Sequence, residues 1–330
     1  VKLMPIQQML LGAGGEVDLP VEDIFKVTSF TGNTSNSTTI AAPGNKVGAG
    51  VAVWHGKRTA SNDKYYYDSD MSAGELLIQN DTASKYTGWS NSFEGFGTTS
   101  HDLGTNDGWA DDEGYVNFQF KRYKNFFDFG TVTKNSSSQS FSHNLKTTPR
   151  FMMVKRMDSS SHWYTYNYFD GKSKYIKTQT LNEHGDARTT DTNVWNNTSP
   201  TSTQFTLGST ITNGTYKYMM WGNGDFCNVE YYSGNNSVKN IVTADASGYT
   251  FQPQFIAIRR LNGFGWWSWF DTTRGIPDGD VSRWAAHNST GGSSDDWIDL
   301  TSTGFDINQN GTYLNQSGGE FIYIAIAKVT

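Results

Sequence analysis

The stretch FQPQFIAIRR at residues 251–260 has a close copy earlier in the chain, KTTPRFMMVKR at residues 146–156. Both copies contain a proline, a polar residue, a phenylalanine, three apolar residues and two basic residues, in that order. A weaker copy, AGVAVWHGKR at residues 49–58, lacks the proline and carries the extra pair His55-Gly56. Pro149 and Pro253 lie 104 residues apart (253 − 149). This period is too long for a solenoid repeat and is typical of tandem domains.

Further landmarks recur in the same order around these copies. Opening strands are predicted at residues 27–33, from Phe126 onward, and at residues 229–235. Aromatic strands end at Asp68, Asp170 and Asp271. A dipeptide that ends in phenylalanine recurs before each closing strand, at Gly95-Phe96, Gln204-Phe205 and Gly304-Phe305. The closing strands occupy residues 113–122, 214–222 and 319–329. The repetition predicts three related domains, at residues 20–125, 126–226 and 227–330, after an N-terminal arm of residues 1–19.

Each repeat is predicted to be an antiparallel β-sandwich of the jelly-roll-like kind. The chain is 15% aromatic and only 18% charged, and its apolar runs are short, rich in β-branched residues and separated by turn clusters such as TGNTSN, a pattern that favours strands. A barrel remains the alternative fold. In FIYIAIA (residues 321–327) both alternating sets of side chains are apolar, which predicts a central strand covered on both faces. The triplication allows either a threefold arrangement or a stacked spacer.

These landmarks resemble a repeat found in virion proteins of marine tailed bacteriophages. The residues that carry the resemblance are YSGN at 232–235, Phe251–Arg260, Trp269–Gly275 and the closing FIYIAIAKV; the N-terminal MPIQQMLLGAGG is also similar to the start of such proteins. The resemblance is clearest in residues 228–330, fair in 126–226 and weak in 20–125. It implies a structural or attachment role on a phage particle, as tail fibre, appendage or head decoration, and it implies no catalytic residues.

The N-terminal arm is predicted to dock on a partner. Its apolar side chains are Met4, Ile6, Met9, Leu10 and Leu11, and the run is too short and too interrupted for a signal peptide. A disordered tail is the other interpretation. We expect other virion proteins as partners of the arm, a homo-oligomer, and localisation at the particle surface after assembly in the host cytoplasm.

Several classes of partner and chemistry are disfavoured. A net charge of −6 and the lack of a large basic cluster argue against nucleic acid, and without an 18-residue apolar run we expect no membrane insertion. The single cysteine, Cys227, is expected to be a small buried hydrophobe. The six histidines show no metal-ligand or catalytic spacing, so each is expected at the surface or in a loop. We therefore predict a protein that is not an enzyme and needs no cofactor.

Two acidic stretches with a tryptophan are candidates for calcium binding or hydrolysis. Asp107, Asp111, Asp112 and Glu113 could together bind one calcium ion, although their spacing does not match an EF-hand. Paired carboxylates beside tryptophans would also suit glycoside hydrolysis, with Asp111, Asp112 and Asp296 as the candidates. The favoured interpretation is that these loops keep a β-rich surface soluble.

The stretch GFGWWSWFD at residues 263–271 holds the best candidates for a binding surface. Trp267 and Trp269 are expected on one face of a strand and Trp266 on the other. An exposed indole can stack on a sugar ring, and tryptophan is also frequent in subunit interfaces. Trp266, Trp267, Trp269 and Trp163 are therefore candidates for glycan binding or for an interface, with at least one of the three clustered tryptophans in a core.

Three functions follow from these observations. The first is a non-enzymatic virion component, with the arm as its anchor. The second is a glycan-binding adhesin that mediates attachment to a host surface. The third is a polysaccharide depolymerase that uses the acidic residues.

Overall fold

The computed structural model describes residues 19–57, 63–105, 113–178, 189–263, 265, 267–276, 281–285, 293–295, 297–308 and 311–328. Over these residues the chain is all-β and antiparallel, with 3-10 turns at Val21–Asp23, Pro43–Asn45 and Gly171–Ser173 and no α-helix. The prediction of an all-β protein built from antiparallel β-sandwiches is confirmed.

The first unit consists of a main sheet and a small sheet. Its strands are β1 (Phe25–Thr31), β2 (Thr38–Ala41), β3 (Val51–Lys57), β4 (Lys64–Asp68), β5 (Leu77–Ile78), β6 (Phe93–Phe96), β7 (Ser100–Leu103) and β8 (Gly114–Lys121). The main sheet has the order β1-β8-β3-β4-β5 and the small sheet the order β2-β7-β6. The closing strand β8 therefore lies between the opening strand β1 and the Trp54-containing strand β3.

The second unit repeats this plan. Its strands are β9 (Phe127–Lys134), β10 (Gln139–Ser142), β11 (Phe151–Arg156), β12 (Trp163–Asn167), β13 (Lys174–Thr178), β14 (Thr189–Thr190), β15 (Gln204–Leu207) and β16 (Gly214–Trp221). The main sheet is ordered β14-β13-β12-β11-β16-β9, and β10 pairs with β15 in the small sheet. The closing strand again lies between the opening strand and the strand of the repeated motif.

The third unit has the same arrangement. Its strands are β17 (Cys227–Ser233), β18 (Lys239–Val242), β19 (Pro253–Arg260), β20 (Ser268–Asp271), β21 (Val281–Ala285), β22 (Ser293–Asp295), β23 (Ile298–Thr301), β24 (Gly304–Ile307) and β25 (Glu320–Ala327). The main sheet is ordered β17-β25-β19-β20-β21-β22, and the small sheet β18-β24-β23. All three copies of the repeated motif, β3, β11 and β19, thus occupy the same place in their sheets.

The alternation of side chains on β25 shows how each main sheet is covered on both faces. Phe321, Tyr323 and Ala325 belong to the core between the main and small sheets of the third unit. Ile322, Ile324 and Ile326 belong to a different core on the opposite face. The prediction of a central strand with two covered faces is confirmed, since β25 lies between β17 and β19.

The second core is shared by all three units. The ring centroid of Trp54 on β3 lies 5.6 Å from that of Trp221 on β16 and 5.8 Å from that of Trp269 on β20. Units two and three meet directly where Phe151 and Trp267 approach to 5.1 Å. Each unit therefore contacts both others through its main sheet. The triplication forms a closed threefold arrangement rather than a stacked spacer.

Two landmarks of the sequence alignment are wrong. Strand β12 ends at Asn167, which pairs with Phe151 in the same way that Asp271, at the end of β20, pairs with Phe255. The residue equivalent to Asp271 is therefore Asn167 and not Asp170. Likewise Gly95-Phe96 lies in β6, whereas the first-unit counterpart of β15 and β24 is β7, the strand paired with β2. Both errors are local shifts in short strands, where sequence periodicity sets the register weakly.

Candidate functional site

Three grooves lie where one unit meets the next, and the repeat places equivalent residues in each. Lys26, Asp128 and Asn228 are equivalent, since each is the second residue of a strand segment that pairs with the closing strand in the same register. The residues before them form the pairs Phe25–Phe120, Phe127–Trp221 and Cys227–Ile326. Lys26 lines the groove between units three and one, Asp128 the groove between units one and two, and Asn228 the groove between units two and three. The groove between units one and two is called the first groove, that between units two and three the second groove, and that between units three and one the third groove.

The first groove has a volume of about 920 Å³ and contains an internally paired charge network. Asp128 is buried, and its Oδ2 accepts hydrogen bonds from the Asn144 N–H at 2.7 Å and the Tyr218 hydroxyl at 3.3 Å. Arg122 pairs with Asp70 and approaches Asp128 Oδ1 to 3.5 Å. Burial raises the pKa of Asp128 despite these partners. The charged groups of this groove thus stabilise one another.

The second groove, of about 640 Å³, is the more polar of these two. Arg150 lies with its Cζ 4.3 Å from the centre of the Tyr168 ring, and its Nη1 lies 3.7 Å from Glu230 Oε1. Burial raises the pKa of Glu230, while Arg150 opposes the shift. Tyr168 remains 47% exposed. Asn223 and Asn228 also line the groove, so it combines an accessible aromatic ring with several hydrogen-bonding side chains.

Comparison with protein families gives one assignment. Residues 21–329 match the family model described as "Domain of unknown function (DUF7483)". The chain belongs to the DUF7483 family. The match spans all three units, so the family is defined by the triplicated arrangement and not by a single sandwich. A comparison with curated proteins found no match.

The tryptophan prediction needs correction. Trp163, Trp267 and Trp269 are at most 3% exposed and belong to the core shared by the three units. The Trp269 ring, for example, meets Phe118 of the first unit at 4.9 Å. These three side chains therefore cannot form a sugar platform or an intermolecular interface, because neighbouring sheets of the same chain cover them. Trp266 lies outside the described residues.

The histidine prediction is wrong for His55 and His101, which lie in β3 and β7, whereas His143 lies in the loop after β10. His55, His101 and His143 are buried. In the first unit His55 Nδ1 donates to Asn117 Oδ1 at 2.5 Å, and His101 Nε2 accepts from Asn117 Nδ2 at 3.0 Å and from the Tyr67 hydroxyl at 3.2 Å. Burial lowers the pKa of both His55 and His101 from 6.5 to about 3. Both rings are therefore neutral at physiological pH and act as hydrogen-bonding parts of a core.

The remaining candidates lie mostly outside the described residues. This holds for the whole docking set Met4, Ile6, Met9, Leu10 and Leu11, for Asp107, Asp111 and Asp112 of the calcium set, and for Asp296. Glu113 is described, and its backbone carbonyl accepts a hydrogen bond from the Gly32 N–H at 3.0 Å. Within the described parts of the chain, no cluster of three or more His, Cys, Asp or Glu side chains could hold a metal ion.

Two further observations concern the sequence predictions. Cys227 is fully buried, as predicted, and burial raises the pKa of its thiol. No helix in the described ranges is long and apolar enough to cross a membrane.

The residues that sequence reasoning missed are those of the second groove. The only sequence signal that could have indicated Asn223 and Asn228 was the alignment of the repeats. That alignment makes Asn228 equivalent to Asp128.

Proposed function

We propose that this chain is a non-enzymatic structural component of a tailed-phage particle. In this proposal it is displayed at the particle surface as part of a tail fibre, an appendage or a head decoration. The N-terminal arm of residues 1–19 anchors it to other virion proteins, and copies of the chain associate as a homo-oligomer. The sequence resemblance of residues 228–330 to phage virion repeats motivates the assignment.

The observation that carries the proposal is the aromatic core shared by three units. Trp54, Trp221 and Trp269 come from different units, and the Trp54 ring lies within 6 Å of each of the other two. One chain thus has the form of a compact trimer, a shape suited to a position on a symmetric particle. Such a body presents three related outer surfaces.

The pairing of buried charges supports a structural role rather than catalysis. Asp68 binds Lys217, Asp271 binds Arg274 at 2.5 Å, and Asp128 lies beside Arg122. A general acid or base must be able to reach a substrate. Asp68 and Asp271 are at most 1% exposed and lie against basic side chains of the same chain, so they stabilise the fold instead.

Immunogold electron microscopy of purified phage particles tests the proposal. Antibody against residues 126–330 should label the head or the tail at regular positions. Head labelling identifies a decoration protein, and tail labelling identifies a fibre or appendage. Absence of label from every particle, with the antigen detected elsewhere in the lysate, would contradict the proposal.

Removing residues 1–18 tests the anchoring step separately. Leu19 should be kept, because its N–H donates to the Tyr123 hydroxyl at 3.1 Å and ties the chain to the first unit. We expect the shortened chain to keep its melting temperature but to be lost from particles. Incorporation at full occupancy would show that the anchor lies elsewhere.

A glycan-binding adhesin is the second candidate function. The second groove supports it, because an accessible tyrosine, an arginine, a glutamate and two asparagines face one open space. This combination of aromatic and planar polar groups is suited to sugars. A surface-displayed particle protein could perform both roles.

A further inference from the structure

We propose that the second groove binds a neutral pyranose unit of a polysaccharide, with Asn223 and Asn228 as hydrogen-bond donors and Tyr168 as the stacking surface. The inference gives the adhesin function a defined site in place of the buried tryptophans, and it rests on that second candidate function. It does not depend on where the chain sits on a particle.

The two asparagines are held with their donors available. Asn228 is only 5% exposed, and its Oδ1 accepts a hydrogen bond from the Tyr323 hydroxyl at 2.6 Å. Asn223 Oδ1 accepts from the Val229 N–H at 2.7 Å. The amide nitrogens of both residues donate to no group in the described part of the chain. Because each oxygen fixes its side chain, the N–H donors are preorganised for a ligand acceptor such as a sugar hydroxyl.

Acceptors and hydroxyl groups complete the polar lining. Thr147 and Thr148 lie on the chain segment that leads into β11, and both line the groove with Arg150 and Glu230. Sugar hydroxyls act as donor and acceptor together, so they are best satisfied by a mixture of amides, hydroxyls and carboxylates. The groove offers all three types within one space of about 640 Å³.

Tyr168 provides an apolar surface at the edge of this polar set. Its side chain is 47% exposed, while the Arg150 guanidinium lies 4.3 Å from the ring centre. The neighbouring Phe169 ring meets Tyr168 in an edge-to-face contact with centroids 5.9 Å apart. These contacts restrict the ring without burying it. A fixed, partly exposed aromatic ring is the form that stacks on the C–H face of a pyranose with little loss of conformational entropy.

Comparison with the first groove explains why the sugar-binding site is assigned to the second groove. There Asp128 replaces Asn228 and Tyr218 replaces Tyr323, so the same hydrogen bond is kept. However, Arg122 occupies the place of Asn223 and binds the Phe129 carbonyl and Asp70. Arg122, Asp128 and Tyr218 of the first groove are thus bonded within the protein, whereas the second groove retains unused amide donors.

The charge of the second groove favours a neutral sugar over an acidic one. Its cation, Arg150, is already paired with Glu230. Asp245 adds a second carboxylate, which accepts hydrogen bonds from the Ser247 and Tyr249 N–H groups at 2.8 and 2.9 Å. With two carboxylates and one guanidinium among these residues, the groove would repel an anionic residue such as a uronic acid.

The test is binding of the full chain to a microarray of neutral and uronic-acid oligosaccharides, followed by titration calorimetry with the best neutral binder. Tyr168→Ala removes the stacking surface. Asn228→Asp removes the amide donors but keeps an acceptor for Tyr323, and the fold already tolerates aspartate at the equivalent position 128. Tyr249→Ala is the matched control, since Tyr249 is 67% exposed and is not a lining residue of the groove.

We expect the wild-type chain to bind neutral glycans, each groove variant to lose at least tenfold in affinity, and the control to bind as wild type. Failure of the wild-type chain to bind any glycan would overturn the adhesin function and the site together. Binding that neither groove variant weakens would overturn the site alone. A preference for acidic oligosaccharides would overturn the assignment of a neutral sugar.

Discussion

Lys217 on β16 and Asp68 on β4 form a fully buried ion pair that joins the second unit to the first. Lys217 Nζ lies 2.8 Å from Asp68 Oδ2 and 3.1 Å from Oδ1, and both side chains are 0% exposed. The Tyr66 hydroxyl donates to the same carboxylate at 2.7 Å. A buried carboxylate with an ammonium and a hydroxyl partner is well compensated, so the pair fixes the relative position of two main sheets.

Removing Asp68 should therefore be strongly destabilising. Asp68→Ala leaves the Lys217 ammonium buried without its counter-ion, and we expect a loss of about 3–5 kcal/mol in the free energy of unfolding, measured by urea denaturation. The double variant Asp68→Ala/Lys217→Met should recover part of this loss. Lys174→Met is the control: its partner Asp170 is 3.9 Å away and Lys174 is 39% exposed, so the expected cost is below about 1 kcal/mol. Equal costs at the two sites would contradict this account.

The shared core makes a second prediction about cooperativity. Trp54 contacts Trp221 and Trp269 of the two other units, so Trp54→Ala should cost about 3–5 kcal/mol. Hydrogen exchange should then accelerate in the main sheets of all three units. Trp195 is equally buried but belongs to the core of the second unit alone. Trp195→Ala should accelerate exchange mainly in that unit, and a similar local pattern for Trp54→Ala would show that the units open independently.

The sequence predicted the strands well because their signal is local. FIYIAIA at 321–327 alternates between two apolar sets, and this alone identified a central strand. The pairing of Trp267 with Trp269 on one face was also correct, since both belong to the shared core. The sequence predicted at least one tryptophan of this cluster in a core. That both Trp267 and Trp269 are buried could not be predicted, because the side chains that cover them come from β8 and β11, far away in the chain.

The grooves were beyond sequence reasoning for a similar reason. Asn223 lies in the connection between two units, Asn228 on an opening strand and Thr147 before a motif strand. Nothing in the spacing of these residues indicates that they meet. Only the sheet register and the closure of the units bring them together. Periodicity therefore predicts elements, whereas sites between repeats depend on how the repeats pack.

The buried histidines make the first unit sensitive to acid. The pKa of His55 and of His101 is lowered from 6.5 to about 3 by burial, so the unfolded chain binds protons that the folded chain does not. Above pH 6.5 both histidines are neutral in the folded and in the unfolded chain, so they do not reduce the free energy of unfolding. As the pH decreases from 6.5 toward 3, only the unfolded chain binds the protons, and the free energy of unfolding falls. Between pH 6.5 and 5.5 we expect a loss of about 1 kcal/mol per histidine, measured as the shift of the urea midpoint.

A variant that carries the residues of the second unit provides the control for this pH effect. The sheet registers align His55 with Val154 and His101 with Phe205. His55→Val/His101→Phe should lower stability at pH 7.5, because Asn117 loses two hydrogen-bond partners, but should flatten the pH dependence by about 2 kcal/mol over the same interval. An unchanged slope in the variant would mean that other groups cause the acid sensitivity.

Two glycines at equivalent positions should tolerate no side chain. A Cβ at Gly104, directly after β7, would lie 2.0 Å from the Asn91 carbonyl oxygen, and one at Gly208, directly after β15, would lie 1.9 Å from the Asn193 carbonyl oxygen. Because backbone atoms of a packed loop must move to make room, we expect Gly104→Ala and Gly208→Ala to cost about 1–3 kcal/mol each in thermal or urea unfolding. Gly97→Ala is the control, since its Cβ would meet only ordinary contacts at 3.7 Å. A cost for Gly97→Ala as large as for the other two would show that the loss of glycine itself, rather than steric overlap, determines the effect.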